Sequence, residues 1–466
     1  MQSVPQYPIP REDAADHGLL RRVLFRSFGL FHTLESWTIR RFTLSGKVAL
    51  AALGASAVVG IDTNRTVAYQ AFTFLAALLL VALVSSFAFR GRFTTRRALP
   101  RFGTMGERLG YRVAVDNSTD RLQSGLVLME GFADPRPSLE EFMRAREPGE
   151  ERRNWFDRTV GYPRWAWLLS QNQRAEPVEQ PLPTITPRGR VEVSVEIVPT
   201  RRGHLRFVTS TIARPDPFGL FKACHTTPAP DSVLILPRRY PVPRVTMPGT
   251  RRYQHGGVAL ATSVGDSEEF ASLRDYRPGD PLRRIHWKSW ARLGKPIVKE
   301  YQDEFFIRHA LVLDTFTSSE HSRQFEDAVS VAASFACAIE TQESLLDLLF
   351  LGPEAYSLTA GRGLARTERM LEVLACVQAC THAPFSGLRR LVIDRHATLS
   401  GAICVLLGWD AERQGLIRDL EARGVPTLVL VVEAGAAAAP ADGDTHASAG
   451  VHHLAAGKIA EGLAQL

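Results

Sequence analysis

Between Gly265 and Lys295 the chain alternates acids and bases around aromatic residues. It reads Gly265-Asp266-Ser267-Glu268-Glu269-Phe270, Leu273-Arg274-Asp275-Tyr276-Arg277-Pro278-Gly279-Asp280, Arg283-Arg284-Ile285-His286-Trp287-Lys288 and Ala291-Arg292-Leu293-Gly294-Lys295. Two chemistries are open to such a set. The carboxylates Asp266, Glu269 and Asp280 beside His286 are the residue types of acid–base or metal-assisted hydrolysis. The same charges, interleaved with Leu273, Tyr276, Ile285 and Trp287, also make a compact paired network, because alternating signs attract where a block of one sign repels itself. Such a network braces a fold or presents a docking surface, since arginine clusters serve both uses. Cations around His286 disfavour its proton, and a hydrogen-bonded structural histidine is the commoner use of such a residue. Pro278-Gly279 predicts a turn, with Asp280 placed to cap a short helix carrying Arg283, Arg284 and Trp287.

A second candidate follows the apolar run 310–313, where Asp314-Thr315-Phe316-Thr317-Ser318-Ser319 begins. Open α/β sheets bind ligands beyond the carboxyl ends of their strands, and Asp410 stands at the end of a later predicted strand. Asp314, Ser318 and Asp410 are therefore candidate oxygen ligands for Mg2+, with helix capping by the same oxygens as the alternative. No Gly-x-Ser-x-Gly elbow, Gly-x-x-x-x-Gly-Lys loop or His-Glu-x-x-His pair is present. Gly256-Gly257 and Gly361-Arg362-Gly363 lack the helix that a nucleotide site needs, and His452 and His453 have no spaced partners.

The elements that must position these groups fall into five stretches. Residues 1–43 form a tail with Pro5, Pro8 and Pro10, followed by a basic amphipathic segment with Arg21, Arg22, Arg26, Arg40 and Arg41, suited to lie on a membrane. Residues 44–90 predict a two-helix transmembrane hairpin: 44–61, broken only by Lys47, and 67–89, which has no charge. The tight turn 62–66 carries Arg65 alone, whereas Arg40, Arg41, Arg90, Arg92, Arg96 and Arg97 flank the pair. The positive-inside rule then predicts an inner-membrane protein with both termini cytoplasmic. The apolar run starts too late for a cleavable signal peptide.

Alternating segments at 110–116, 125–130, 191–198 and 205–212 predict an all-β, immunoglobulin-like sandwich over 99–237. An insertion at 134–183, with Trp155, Trp165 and Trp167, suits either the bilayer interface or a lid on the sandwich. The charged segment occupies 238–308. From 309 to 466, strands at 310–313, 345–351, 402–408 and 427–432 alternate with helices at 325–340, 366–380 and 411–423, which predicts an open α/β sheet. A low-complexity tract at 434–450 and a helix at 455–466 end the chain.

At 466 residues the chain is too long for one core, and its 23% charged and 45% hydrophobic composition excludes wholesale disorder and a polytopic membrane protein. The net charge of +7 gathers beside the apolar segments, so anionic lipid explains it better than nucleic acid. Acids inside the charged segment also argue against nucleic acid. Five scattered cysteines suggest a reducing compartment, with Cys376 and Cys380 one helical turn apart as a buried structural pair.

Glu269-Phe270, Leu273-Arg274-Asp275-Tyr276, Arg277-Pro278-Gly279-Asp280, Arg284-Ile285-His286-Trp287-Lys288, Ala291-Arg292 and Glu300-Tyr301 resemble the hallmark of a bacterial family, domain-of-unknown-function family fifty-eight. His286 stands where many members carry aspartate. Arg201-Arg202-Gly203-His204-Leu205 and Asp216-Pro217-Phe218-Gly219-Leu220-Phe221 are similar to that family's β-domain, which implies a structural corner. The loop at Asp314 resembles the Asp-x-Ser-x-Ser metal loop of von Willebrand factor type A domains, with Phe316 in place of the first serine. The resemblance implies a membrane-anchored, noncatalytic scaffold partnered with a MoxR-type AAA+ ATPase in envelope or complex assembly. Its binding or bracing residues would be Glu269, Arg274, Asp275, Tyr276, Arg277, Gly279, Asp280, Arg284, His286, Trp287, Lys288 and Arg292. The alternative is a metal-dependent hydrolase using the carboxylates and histidine of the same segment.

Overall fold

A computed structural model describes residues 13–59, 66–87, 89, 91–243, 270–280, 282, 285–301, 307–317, 322–338, 344–352, 355–360, 364–381, 383–434 and 450–466. Asp266, Glu269, Arg283, Arg284, Ser318, the glycines at 256–257 and 361–363, the turn residues 62–65 and most of the tract 434–450 lie outside the described residues. The fold is mixed α/β in two units, Met1–Arg238 and Arg239–Leu466.

The first unit opens with α1 (Asp13–Arg41), α2 (Leu44–Val59) and α3 (Thr66–Ser86). Among the described residues, one helix is long and apolar enough to cross a membrane: Val67–Ser86 within α3, with mean hydropathy 2.3. Its 20 residues rise about 30 Å, the thickness of a bilayer's hydrocarbon core. The 16 residues of α2 rise only about 24 Å, so length separates the two predicted spans.

Strands β1 (Phe93–Ala98), β2 (Phe102–Thr104), β3 (Leu109–Asn117) and β4 (Val127–Phe132) come next. Helices α4 (Leu139–Arg144), α5 (Trp155–Val160) and α6 (Tyr162–Asn172) then form the insertion, before β5 (Glu179–Pro181), β6 (Arg190–Ile197), β7 (Gly203–Pro215) and β8 (Lys222–Leu236). A three-stranded sheet in the order β1-β3-β6 and a five-stranded sheet in the order β2-β8-β7-β4-β5 share one apolar core. Alternation explains it: Leu109, Tyr111, Val113 and Val115 of β3 are buried while the residues between them face outward or sit half-buried.

One polar pair spans the two sheets. Arg97 of β1 donates from Nε to Glu130 of β4 at 3.0 Å, and its guanidinium lies 4.8 Å from the Phe207 ring centroid. Burial pushes the Glu130 carboxyl up while Arg97 pulls it back.

The predicted corner at 216–221 is a turn held by one carboxylate. Asp216 accepts from the backbone N–H groups of Phe218 at 2.9 Å and of Leu220 and Phe221 at 2.6 Å each. The root of the helical hairpin is fixed to it: Thr43 N–H donates to the Leu220 carbonyl at 3.1 Å, and the Phe42 and Phe221 rings meet edge to face at 5.2 Å. A Cβ on Gly46 would stand 1.9 Å from that carbonyl, so only glycine allows the approach.

The insertion's tryptophans divide. Trp165 is buried with Phe142, Leu168 and Phe28 of α1, whereas Trp155 is 75% exposed. The insertion therefore packs on α1 with one face and presents aromatics on another.

In the second unit, β9 (Phe270–Asp275) pairs antiparallel with β10 (Ile297–Tyr301), and α7 (Trp287–Leu293) lies between them in sequence. The large sheet follows, built from β11 (Ile307–Leu313), β12 (Ser344–Leu351), β13 (Ala355–Ala360), β14 (Gly401–Leu406), β15 (Thr427–Glu433) and β16 (Val451–Ala455). Its order is β13-β12-β11-β14-β15-β16, parallel throughout except for β13 at one edge. The helices are α8 (Arg323–Ala338), α9 (Leu364–Cys376), α10 (Ser386–Ile393), α11 (Ala411–Ala422) and α12 (Ile459–Leu463).

Three expectations change here. The helix predicted over 366–380 ends at Cys376, and Cys380 instead bridges to Phe316 with its N–H on the Thr315 carbonyl at 2.7 Å, so the two cysteines share no helix face. The helix predicted over 455–466 is present but shorter, α12 at Ile459–Leu463, because Val451–Ala455 before it forms β16 and completes the parallel sheet beside β15. The predicted helix start at Asp280 moves to Trp287, after Ile285 bridges to Val298.

Removing Glu130 leaves a buried guanidinium whose one fully buried carboxylate partner is gone. Glu130→Ala is therefore expected to lower the stability of the first unit by about 3–5 kcal/mol, read as a drop in the denaturant midpoint at unchanged slope.

Candidate functional site

The charged segment folds as an antiparallel pair, β9 with β10, and α7 lies in the connection between them. Among the described residues, Ile285, Ile297 and Val298 are buried in it. Gly279 takes a φ of +105°, and Gly294 takes +69° where it closes α7 by donating its N–H to the Trp290 carbonyl at 2.9 Å.

Asp280 organises the turn. Its two oxygens accept a fork from Arg274 at 2.7 and 2.8 Å, and one also accepts the Arg277 N–H at 2.9 Å. The Arg274 hydrogen bonds, with that of Arg277 second, hold the Asp280 carboxyl down to about 2. The carboxylate thus closes the loop that precedes α7. Asp275 pairs with Lys295 at 2.9 Å across the hairpin. His286 precedes α7, and its Nδ1 lies 2.6 Å from Ser289 Oγ, inside its own turn.

The other members of the set turn outward. Trp287 is 63% exposed and stacks on Trp290 with centroids 5.2 Å apart and planes at 17°. Leu273, Leu282 and Leu293 are also exposed. Arg277, Lys288 and Arg292 are exposed and hold no ion pair among the described residues. Tyr276 is half-buried, with its N–H on the Pro296 carbonyl.

The second candidate cluster sits where the order of the large sheet reverses, between β11 and β14. Asp314 is fully buried there. It accepts from the N–H groups of Phe316 at 2.9 Å and Leu407 at 3.0 Å. Arg413, in the first turn of α11, donates from Nε to Asp314 at 2.6 Å and from Nη1 to Asp410, and Nη2 lies 3.4 Å from the Phe316 carbonyl. The face of Phe385 lies 5.1 Å from this guanidinium, and Phe316 meets Phe385 at 63°. Burial pushes the Asp314 carboxyl up, opposed by the charge and hydrogen bond of Arg413. Gln324 fills more of the crevice, donating to the Leu407 and Val432 carbonyls at 2.8 and 2.6 Å.

Asp314 and Asp410 are thus brought together, as their positions after two strands predict, but around a guanidinium. Both carboxylates are committed to Arg413, and Phe316 adds an apolar ring, so the described donors do not fit a magnesium ion. Asp410 is also the cap of α11, accepting the Arg413 N–H at 3.0 Å. Arg413 went unread in the sequence, though a signal exists. A cation in a helix's first turn opposes the helix dipole and calls for a nearby carboxylate.

Two outcomes test these clusters. Because the Asp280 carboxyl lies below its ordinary 3.8, its contribution is fully present above that value and is lost as pH falls through about 2. Tryptophan fluorescence from the Trp287–Trp290 stack should therefore report an acid transition in that window that Asp280→Asn abolishes. Arg413→Ala strands the buried Asp314 charge and is expected to cost the second unit about 3–5 kcal/mol in chemical denaturation, with most of it recovered by adding Asp314→Leu.

The family described as Protein of unknown function DUF58 matches residues 272–417. The Bacillus subtilis (strain 168) uncharacterized protein YeaD is 26% identical over 200 residues, which cover 42% of this chain and 48% of that protein. The chain thus spans about half the length of the curated relative it matches. Among solved structures, the CARDB domain of a Pyrococcus furiosus protein is 9% identical with a TM-score of 0.17, covering 31% of this chain and 94% of its own. A Listeria innocua beta-glucosidase in complex with glucose is 12% identical with a TM-score of 0.16, covering 31% of this chain and 16% of its own. Scores this low carry no argument. The matched stretch runs from β9 into α11 through both charged clusters, and over it the chain is similar to the DUF58 family of proteins of unknown function.

Proposed function

We propose that this chain is a membrane-anchored, noncatalytic scaffold whose second unit docks a protein partner through the β9–α7–β10 hairpin. The observation that carries the reading is the Trp287–Trp290 stack, with Trp287 exposed, on a hairpin that also exposes Arg277, Lys288 and Arg292, which have no acid partner among the described residues. Exposed tryptophan beside arginine is the composition of interface hot spots. The partner class that the sequence resemblance implies is a MoxR-type AAA+ ATPase, acting in envelope or complex assembly.

The strand order of the large sheet, with its antiparallel edge strand, supports reading that domain as von Willebrand factor type A-like. The two β sheets on one core support an immunoglobulin-like sandwich in the first unit. In this reading Arg413 stands in for the divalent ion, so docking needs no metal. The hydrolase alternative requires a free Asp280, and that carboxylate is occupied by Arg274 and the Arg277 N–H. Anchoring rests on α3, with α2 as a second, shorter span. Arginines flanking the pair on both sides favour cytoplasmic termini at an inner membrane.

The test is co-purification from membranes with a MoxR-type ATPase expressed alongside. Trp287→Ala combined with Arg292→Glu should abolish capture while leaving the thermal midpoint and membrane retention unchanged, and capture by the parent chain should survive a chelator. Retention of the ATPase by the double variant, or steady substrate turnover by the parent, overturns the reading.

A further inference from the structure

The first unit holds a cleft that none of these roles uses. It measures about 1330 Å³ and opens between α1 and the helical insertion. Six arginines line it, Arg21 from α1 and Arg144, Arg146, Arg152, Arg158 and Arg164 from the insertion, against three glutamates.

Ion pairing sorts these charges. Glu150 is taken by Arg164, whose Nε donates to it at 3.1 Å, and Glu147 is taken by Arg153 at 2.7 Å. Arg144 is spent on Glu140 at 2.6 Å. Arg21, Arg146, Arg152 and Arg158 hold no ion pair among the described residues, against the single remaining lining acid, Glu151. The cleft therefore keeps a cationic surplus, which draws anions toward it.

The walls are also rigid. Arg164 is buried beneath the lining, its guanidinium 5.7 Å from the Phe142 ring, within the core that joins Trp165 and Leu168 to Phe28 of α1. Trp155 stands exposed on the lining, the residue type that settles at a bilayer's headgroup level. Residues Phe42 and Thr43 alone separate α1 from α2, and α3 follows, so about 30 Å of continuous helix, from Arg21 to Arg41, links the cleft to the root of the apolar helices.

We infer that this cleft binds the phosphate-bearing headgroup of an anionic membrane lipid. Forked guanidinium donors match phosphate oxygens, and a neutral or zwitterionic headgroup leaves the surplus charge uncompensated. The inference rests on the membrane-anchored part of the proposed function and is independent of the docking hairpin.

The experiment uses the full chain in neutral detergent micelles. Short-chain dioctanoyl phosphatidylglycerol, dioctanoyl phosphatidylcholine and inorganic pyrophosphate are titrated in turn by calorimetry, with tryptophan fluorescence as a second readout. The expected result is phosphatidylglycerol binding at least tenfold tighter than phosphatidylcholine, with pyrophosphate competing for it. Each of Arg146→Gln, Arg152→Gln and Arg158→Gln should weaken it about fivefold, at an unchanged thermal midpoint. All three positions are exposed, so the fold is spared. Equal binding of the two lipids, or a triple variant that binds as the parent does, overturns the inference. Pyrophosphate binding without phosphatidylglycerol binding overturns the lipid as source. Retention of the chain in alkali-washed membranes is scored separately, so failed anchoring is distinguished from a failed headgroup site.

Discussion

Asp314 ends β11 with no solvent around it, and Arg413 is what opposes the cost of its charge. This pair decides what the α/β unit can do. The reversal point between β11 and β14 is where open sheets of this kind accept ligands. Here that point is filled from within, by a guanidinium fixed between two carboxylates and against the Phe385 face, with Gln324 tied to two strand-end carbonyls beside it. A guanidinium on a helix cannot leave as a metal ion can, so the crevice is a permanent joint between strand and helix.

The same constraint recurs wherever a charge is buried. Arg308 forks onto Asp347, which has no exposure, and reaches Thr359 as well, linking β11, β12 and β13. Arg97 and Glu130 do the same across the two sheets of the first unit. In each case the arginine comes from a different element than the acid, so the pair fixes how elements meet. Among the described residues, arginines without an ion pair include those of the hairpin with the stacked tryptophans and those of the cleft beside α1. The paired set fixes how these elements meet.

How much of this was legible in the sequence follows from the range of each interaction. Alternation in β3 and the apolar runs of β11, β14 and β15 are local signals, and they gave the right element types. The turn at Pro278-Gly279 and the corner at Asp216 were readable for the same reason. Strand β13 and helix α10 carry weaker patterns, since β13 is a half-exposed edge and α10 has only eight residues; both went unread. The tie between Arg413 and Asp314 joins residues 99 positions apart, and no spacing rule reaches that far. Without it, Asp314 and Asp410 read as candidate metal ligands. The sequence placed Asp280 at a turn, and the fork it accepts from Arg274, a charge-assisted bond, was not legible from spacing.

The root of the apolar hairpin shows how the first unit turns anchoring into orientation. Thr43 and Gly46 close on the Leu220 carbonyl in the corner that Asp216 builds, and Phe42 packs on Phe221. Two more contacts follow from the same place: Ala82 of α3 is buried with Leu220 and Phe221, and Trp37 of α1 lies 6.2 Å from the Phe221 ring. Three helices therefore converge on one β-turn, which a flexible tether would not require. A joint of this kind transmits the tilt of the apolar helices to the β-sheets and to α1. The insertion packed on α1 then holds a fixed attitude to whatever surface α3 enters, and a headgroup site gains most from such fixed geometry, because less orientational freedom is lost on binding.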